Sequence, residues 1–270
     1  MDVAIRQIDG GTRCLTGGAE GIPFGAAEDL VYQHGQRDAP EVVPCTGAID
    51  GGGFVSGMVS STAPGGSLFA RTDVGGAYRW LGETKSWLPI TDELGPCQVE
   101  SIAADPSDPK LVYVATAGEI CRSSDLGKTW AIHKIPARMA GNGDGRCVGE
   151  RLAIDPNSTN ILFFGSRKDG LFASEDSGTT WIKVPGFTDL KGEIGITFVL
   201  FDPQSGAKGQ ASKTIYLGVD GDKAAFYRSD DGGMSWNAVT GQPQGGVCLH
   251  ASDCGWGSDG RSVWGRTTCG

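Results

Sequence analysis

The chain has 270 residues, a formal net charge of −9, and 44 glycines with 13 prolines, more backbone punctuation than a helical protein tolerates. The negative balance argues against broad attraction to nucleic acid or to an anionic membrane surface, and no stretch approaches the roughly 20 apolar residues that cross a bilayer. Eight cysteines include no Cys-x-x-Cys pair and three histidines lie far apart, so no metal site and no cofactor is expected.

The chain opens on Met1-Asp2-Val3-Ala4-Ile5-Arg6, which lacks the apolar core of a secretory signal. From Gly51 onward short apolar runs alternate with turn residues, and the first four predict strands at 53–59, 67–72, 77–80 and 87–91. A second set follows at 99–104, 111–116, 119–123 and 129–133. Four antiparallel strands make one propeller blade, so the expected fold is all-β, a β-propeller with about four blades in view.

Three segments then share the pattern Ser-x-Asp-x-Gly-x-Ser/Thr-Trp: Ser123 to Trp130, Ser174 to Trp181 and Ser229 to Trp236. Their tryptophans are 51 and 55 residues apart, and a period near 50 points to a propeller or solenoid. Asp105-Pro106, Asp155-Pro156 and Asp202-Pro203 recur in step with them. The pattern resembles the Asp-box of sialidases, sortilin-type receptors and many glycosidases. Its Asp is expected to accept from backbone amides further along the turn and its Gly to take positive φ, which makes these aspartates turn-formers rather than catalysts.

Asp73, in Ala70-Arg71-Thr72-Asp73-Val74-Gly75-Gly76-Ala77-Tyr78-Arg79-Trp80, imitates that spacing but falls elsewhere in the register. It follows the second strand, in line with Ala117, Arg167 and Asp220 of the other blades, whereas the Asp-boxes follow the third. Successive antiparallel turns alternate ends, so Asp73 faces the side that carries the links between blades, the side that usually holds ligands in propellers. One such link, Met139 to Arg146, contains three glycines, and its Asn142 and Arg146 are candidate ligands for sugar hydroxyls. The plainer alternative is an ordinary turn whose Arg151 pairs with a neighbouring acid. Asp220 and Asp222 read first as solvated turn residues.

Gly51 to Gly57, the run around Asp73, Val99 to Ala103, Gly149 to Pro156 and Gly241-Gln242-Pro243 together resemble glycoside hydrolase family 74, over about 51–245. The resemblance implies two seven-bladed propellers facing across a cleft, each giving one catalytic carboxylate, and an extracellular, inverting endo-β-1,4-glucanase acting on xyloglucan. It assigns Asp73 the general-base role; Tyr78, Asn142 and Arg146 are the candidate substrate-binding residues on the same face. The partner acid belongs to the second propeller, to which nothing here corresponds. The expected organisation is therefore an N-terminal segment without family similarity at 1–48, a partial propeller at 49–245 and a divergent tail at 246–270, inactive by itself. The alternative is a non-catalytic propeller that binds glycan or protein. A sialidase is disfavoured, since no arginine cluster is recognisable from Arg146 and Arg167 alone.

Overall fold

The computed structural model describes residues 53–95, 98–187, 190, 192, 194–220 and 226–242, together with the backbone of 4–8 and 11–15. β1 (Ala4–Ile8) and β2 (Gly11–Leu15) form an antiparallel pair. Four antiparallel sheets of four strands follow in series. The first holds β3 (Val55–Ser60), β4 (Leu68–Thr72), β5 (Ala77–Leu81) and β6 (Ser86–Pro89). The second holds β7 (Val99–Ala104), β8 (Val112–Thr116), β9 (Glu119–Ser123) and β10 (Ala131–Lys134). The third holds β11 (Leu152–Ile154), β12 (Leu162–Gly165), β13 (Leu171–Ser174) and β14 (Ile182–Lys183). The fourth holds β15 (Ile196–Phe201), β16 (Ile215–Val219), β17 (Phe226–Ser229) and β18 (Asn237–Ala238). Among the described residues there is no α-helix and the sheets do not close into a ring. The flanking segments expected at 1–48 and 246–270, and the edges of the propeller segment at 49–52 and 243–245, lie outside the described residues apart from β1 and β2.

Hydrophobic residues fill the spaces between consecutive sheets. Val59, Phe69, Ala77 and Ile90 of the first blade meet Val99, Ile102, Val112 and Val114 of the second. Tyr113, Ile120 and Ile135 meet Leu152, Leu162 and Phe164 in the next gap, and Phe163, Leu171 and Val184 meet Ile196, Val199 and Leu217 in the last. Each repeat tryptophan joins one of these gaps: Trp130 the first, Trp181 the second, Trp236 the third. Trp130 also donates its indole N–H to the Ile90 carbonyl of the preceding blade at 2.8 Å. β10 accordingly begins two residues later than the predicted 129–133, because the tryptophan leaves the ladder to pack inward.

The first strands carry a second regularity. β3, β7 and β15 each slip register by one residue, around Ser56, Glu100 and Thr197. Such a bulge leaves its extra residue unpaired and re-aims its side chain. Counting back from the pairs Ala104↔Val112 and Ile154↔Leu162 puts Glu150 at the same position in the third blade as Glu100 in the second.

At the opposite end of each blade the Ser-x-Asp-x-Gly turns are built alike. Asp125 Oδ1 accepts from the Thr129 amide at 2.9 Å and Oδ2 from the Thr129 hydroxyl at 2.6 Å. The Ser123 hydroxyl donates to Asp125 Oδ1 at 2.7 Å and accepts from the Gly127 amide at 2.7 Å. Asp176 and Asp231 repeat the arrangement with Thr180 and Ser235. These donors, the following hydroxyl first, hold all three carboxyls down at about 2. An aspartate in an unfolded chain titrates near 3.9, so the contribution of each turn is present above about pH 4 and is lost as the pH falls through about 2. The melting temperature is expected to drop across that window. The triple variant Asp125→Asn, Asp176→Asn, Asp231→Asn should melt lower at pH 7 and show a shallower drop between about pH 4 and 2; an acid slope equal to that of the unaltered chain would contradict the assignment.

Candidate functional site

Asp73 begins the turn after β4 and is tied to the strand entering the same blade. Its amide donates to the Phe54 carbonyl at 3.1 Å, and its Oδ1 accepts from the Phe54 amide at 2.9 Å. That reciprocal pair requires Gly53, whose φ is +89° and where any Cβ would collide with Asp73 Oδ1. Asp73 Oδ2 lies 3.2 Å from Arg146 Nε, an ion-pair distance at which the N–H is nevertheless out of hydrogen-bonding line. The Arg146 guanidinium also lies over the Phe54 ring, 5.6 Å from its centroid, so Phe54, Asp73 and Arg146 form one cluster. Asp73 is 8% exposed and Phe54 54% exposed.

Arg146 is positioned from beneath. Arg71, buried, donates Nη1 to the Arg146 carbonyl at 3.0 Å and to the Ser56 hydroxyl at 2.9 Å, and pairs Nε with Glu150 Oε1 at 2.7 Å. Gly57 leaves the room for this pair, since a Cβ there would meet both Glu150 Oε1 and Arg71. Glu150 Oε2 accepts from the Ser101 hydroxyl at 2.6 Å and from the Ile102 amide at 2.9 Å. The same Ser101 oxygen accepts from the Arg151 and Leu152 amides at 3.0 Å each, which uses its donor and both lone pairs. Beside it Glu100 pairs with Arg151 Nε at 2.8 Å and Arg167 Nε at 3.0 Å, and accepts from the Ala140 amide at 2.6 Å. Arg167 Nη1 donates to the Asp144 carbonyl at 2.6 Å. The glycine-rich link is thus fastened at Ala140, Asp144 and Arg146, with its end held over Asp73.

No family model matches the chain. A xyloglucanase of Acetivibrio thermocellus is 44% identical over 223 residues, covering 72% of this chain and 26% of that enzyme. The crystal structure of the GH74 xyloglucanase from Xanthomonas campestris superposes with a TM-score of 0.71 at 35% identity, over 77% of this chain and 34% of that one. Over this segment the protein is glycoside hydrolase family 74 xyloglucanase-like. A probable oligoxyloglucan-reducing end-specific xyloglucanase of Neosartorya fischeri is 40% identical over 209 residues. The chain spans about a quarter of the length of these curated relatives.

The residues singled out from sequence divide within this family 74 segment. Asp73 and Arg146 are brought together. Asn142 lies exposed on the link, and Tyr78 sits on β5 in register with Ala70 and Pro89. Arg151 takes the plainer of its two readings, a buried pair with an acid, Glu100. Asp220 uses Oδ2 to accept from the Ile194 amide at 3.1 Å, so it shapes a neighbouring link; Asp222 lies outside the described residues. Arg71, Arg151 and Arg167 converge although no arginine cluster is legible in the sequence, and all three pair through Nε with Glu100 or Glu150. The one sequence signal for the two glutamates is their shared place, one repeat apart, just before the apolar run of a first strand.

Among the described residues no three His, Cys, Asp or Glu side chains group to hold a metal, and no helix is long and apolar enough to cross a membrane. Cys121 and Cys147 are free, and burial, aided by Glu119, pushes the Cys121 thiol up to about 12. Glu100→Gln removes the carboxylate shared by two buried guanidiniums while keeping its volume. It should destabilise the chain by roughly 3–5 kcal/mol in urea unfolding, the cost of leaving buried charge uncompensated; a loss below about 1 kcal/mol would show that the cluster is solvated.

Proposed function

We propose that this chain supplies the general-base side of an inverting hydrolase that cuts the β-1,4-glucan backbone of xyloglucan internally, with Asp73 as the base. The observation that carries the reading is the placing of Asp73: a carboxylate fixed by the Phe54 amide and Arg146 on the link-bearing face, beside an exposed aromatic ring. In the reaction a water stands between Asp73 and the anomeric carbon. Asp73 accepts the water's proton as its oxygen forms the new C–O bond, and the glycosidic C–O bond breaks on the opposite face. A second carboxylic acid, about 6.5–9.5 Å away, must protonate the departing oxygen. The resemblance assigns that acid to a second propeller facing this one across the cleft, the partner this reading requires. Arg146 keeps Asp73 aimed, and Asn142 and Tyr78 are the further residues offered for contact with sugar hydroxyls. A polymeric substrate of this size also implies action outside the cell.

A second reading has an observation of its own. Both Asp73 oxygens face donors, as they would in a purely structural clamp that holds the link in a non-catalytic glycan-binding propeller. One experiment separates the two. Residues 53–242 are placed in the corresponding segment of the Acetivibrio thermocellus xyloglucanase, with and without Asp73→Asn. The substitution is expected to lower kcat by about 10²–10⁴-fold while KM and the melting temperature change little. Retention of more than a tenth of the rate by a folded hybrid would remove Asp73 from the base role.

A further inference from the structure

The inner face holds more positive charge than its acids neutralise. Among the described residues Arg71, Arg151 and Arg167 meet only the carboxylates of Glu100 and Glu150, three guanidiniums to two carboxylates, while Arg146 and Asp73 balance one another. The excess is enclosed, since the Arg151 and Arg167 side chains are 2% and 8% exposed. Part of each guanidinium is solvated by carbonyls: Arg151 Nη1 donates to those of Ile194, at 2.8 Å, and Ile196, and Arg167 Nη1 to that of Asp144. The Nη2 groups of both arginines are buried with no hydrogen-bond partner among the described residues. In a planar guanidinium Nη2 lies on the edge shared with the Nε–H, so both free groups flank Glu100, which the two Nε atoms hold in common. A third buried group without a partner among the described residues, the Thr197 hydroxyl, belongs to the residue after Ile196, whose carbonyl Arg151 reaches.

We propose that a small monovalent anion of the halide class binds between Arg151 and Arg167, bridging their free Nη2 groups. A water molecule would satisfy the two donors but leave the charge uncompensated in a low-dielectric interior, and an anion answers both needs. The surroundings agree: burial draws the Arg151 guanidinium down to about 10, and the neighbouring Arg167 and Arg71 add to that against Glu100 and Glu150. The site does not depend on the hydrolytic reading, since none of its donors comes from Asp73.

The test is thermal unfolding of the whole chain at fixed ionic strength, with sodium chloride or bromide replacing sodium gluconate. Saturating halide should raise Tm by about 2–4 °C for each tenfold excess over its dissociation constant. Arg167→Met brings the cluster to two guanidiniums and two carboxylates and should abolish the halide response. Arg167→Lys keeps the charge but loses the Nη2 donor, and should weaken the response without abolishing it. Arg138→Met is the control, because it changes the net charge equally at an exposed ion pair with Asp169; its halide response should match that of the unaltered chain. If Arg167→Met does not fold, the chloride NMR linewidth of the unaltered chain decides: broadening that bromide reverses supports the site, and an unbroadened line overturns it. Equal melting in halide and gluconate would show that water fills the space, and a response undiminished in folded Arg167→Met would show an adventitious ion only.

Discussion

A guanidinium in a protein interior needs an acid in contact with it, and the Arg71–Glu150 pair is where this chain meets that demand across three blades. Arg71 comes from the first sheet, Glu150 enters the third, and the other oxygen of Glu150 fastens Ser101 and Ile102 of the second. From the same guanidinium a hydrogen bond runs to the Arg146 carbonyl, which turns the Arg146 side chain toward Asp73. A glutamate two blades away is therefore linked, through Arg71, to the residue that faces the candidate base. Replacing either member of the pair alone would leave a buried charge and loosen the link at its Arg146 end.

The two ends of the blades rest on different physics. At the Ser-x-Asp-x-Gly end each turn aspartate is satisfied by donors within four residues, and none of the three is buried. Each turn satisfies itself, and its tryptophan supplies the packing between neighbouring sheets. At the other end Glu100, at the bulge of β7, and Glu150, just before β11, turn inward, and their partners lie up to 79 residues away in sequence. Repetition of a local motif builds the scaffold. The departure from repetition, with Arg71 where the other blades have Ala115, Gly165 and Gly218, builds the site.

That division also decides what could be read from the sequence. The strands and repeat turns were legible because Asp-x-Gly turns and apolar alternation are local chemistry, and β4, β5, β7 and β9 lie within a residue of their predicted bounds. Asp73 was legible for a related reason, since counting strands fixes which end a turn faces. Glu100, Glu150 and Arg71 were not, because a buried glutamate in Val99-Glu100-Ser101 looks like any polar residue at a strand start until its partner is brought to it by blade packing. Arg146 is expected from the sequence as a ligand for sugar hydroxyls, and its contacts with Asp73 and Phe54 follow from blade packing that no local pattern announces.

The account's central claim is that Asp73 acts on a water molecule and does not itself attack the sugar. The measurement closest to it is the anomeric configuration of the first product, followed by proton NMR while the hybrid carrying residues 53–242 cuts a xyloglucan oligosaccharide. Base-activated water attacks opposite the leaving oxygen, so the new reducing end is predicted to form as the α-anomer, with the β-anomer growing in only as mutarotation proceeds. A β-anomer formed first would require a covalent glycosyl intermediate on a carboxylate and would contradict the mechanism.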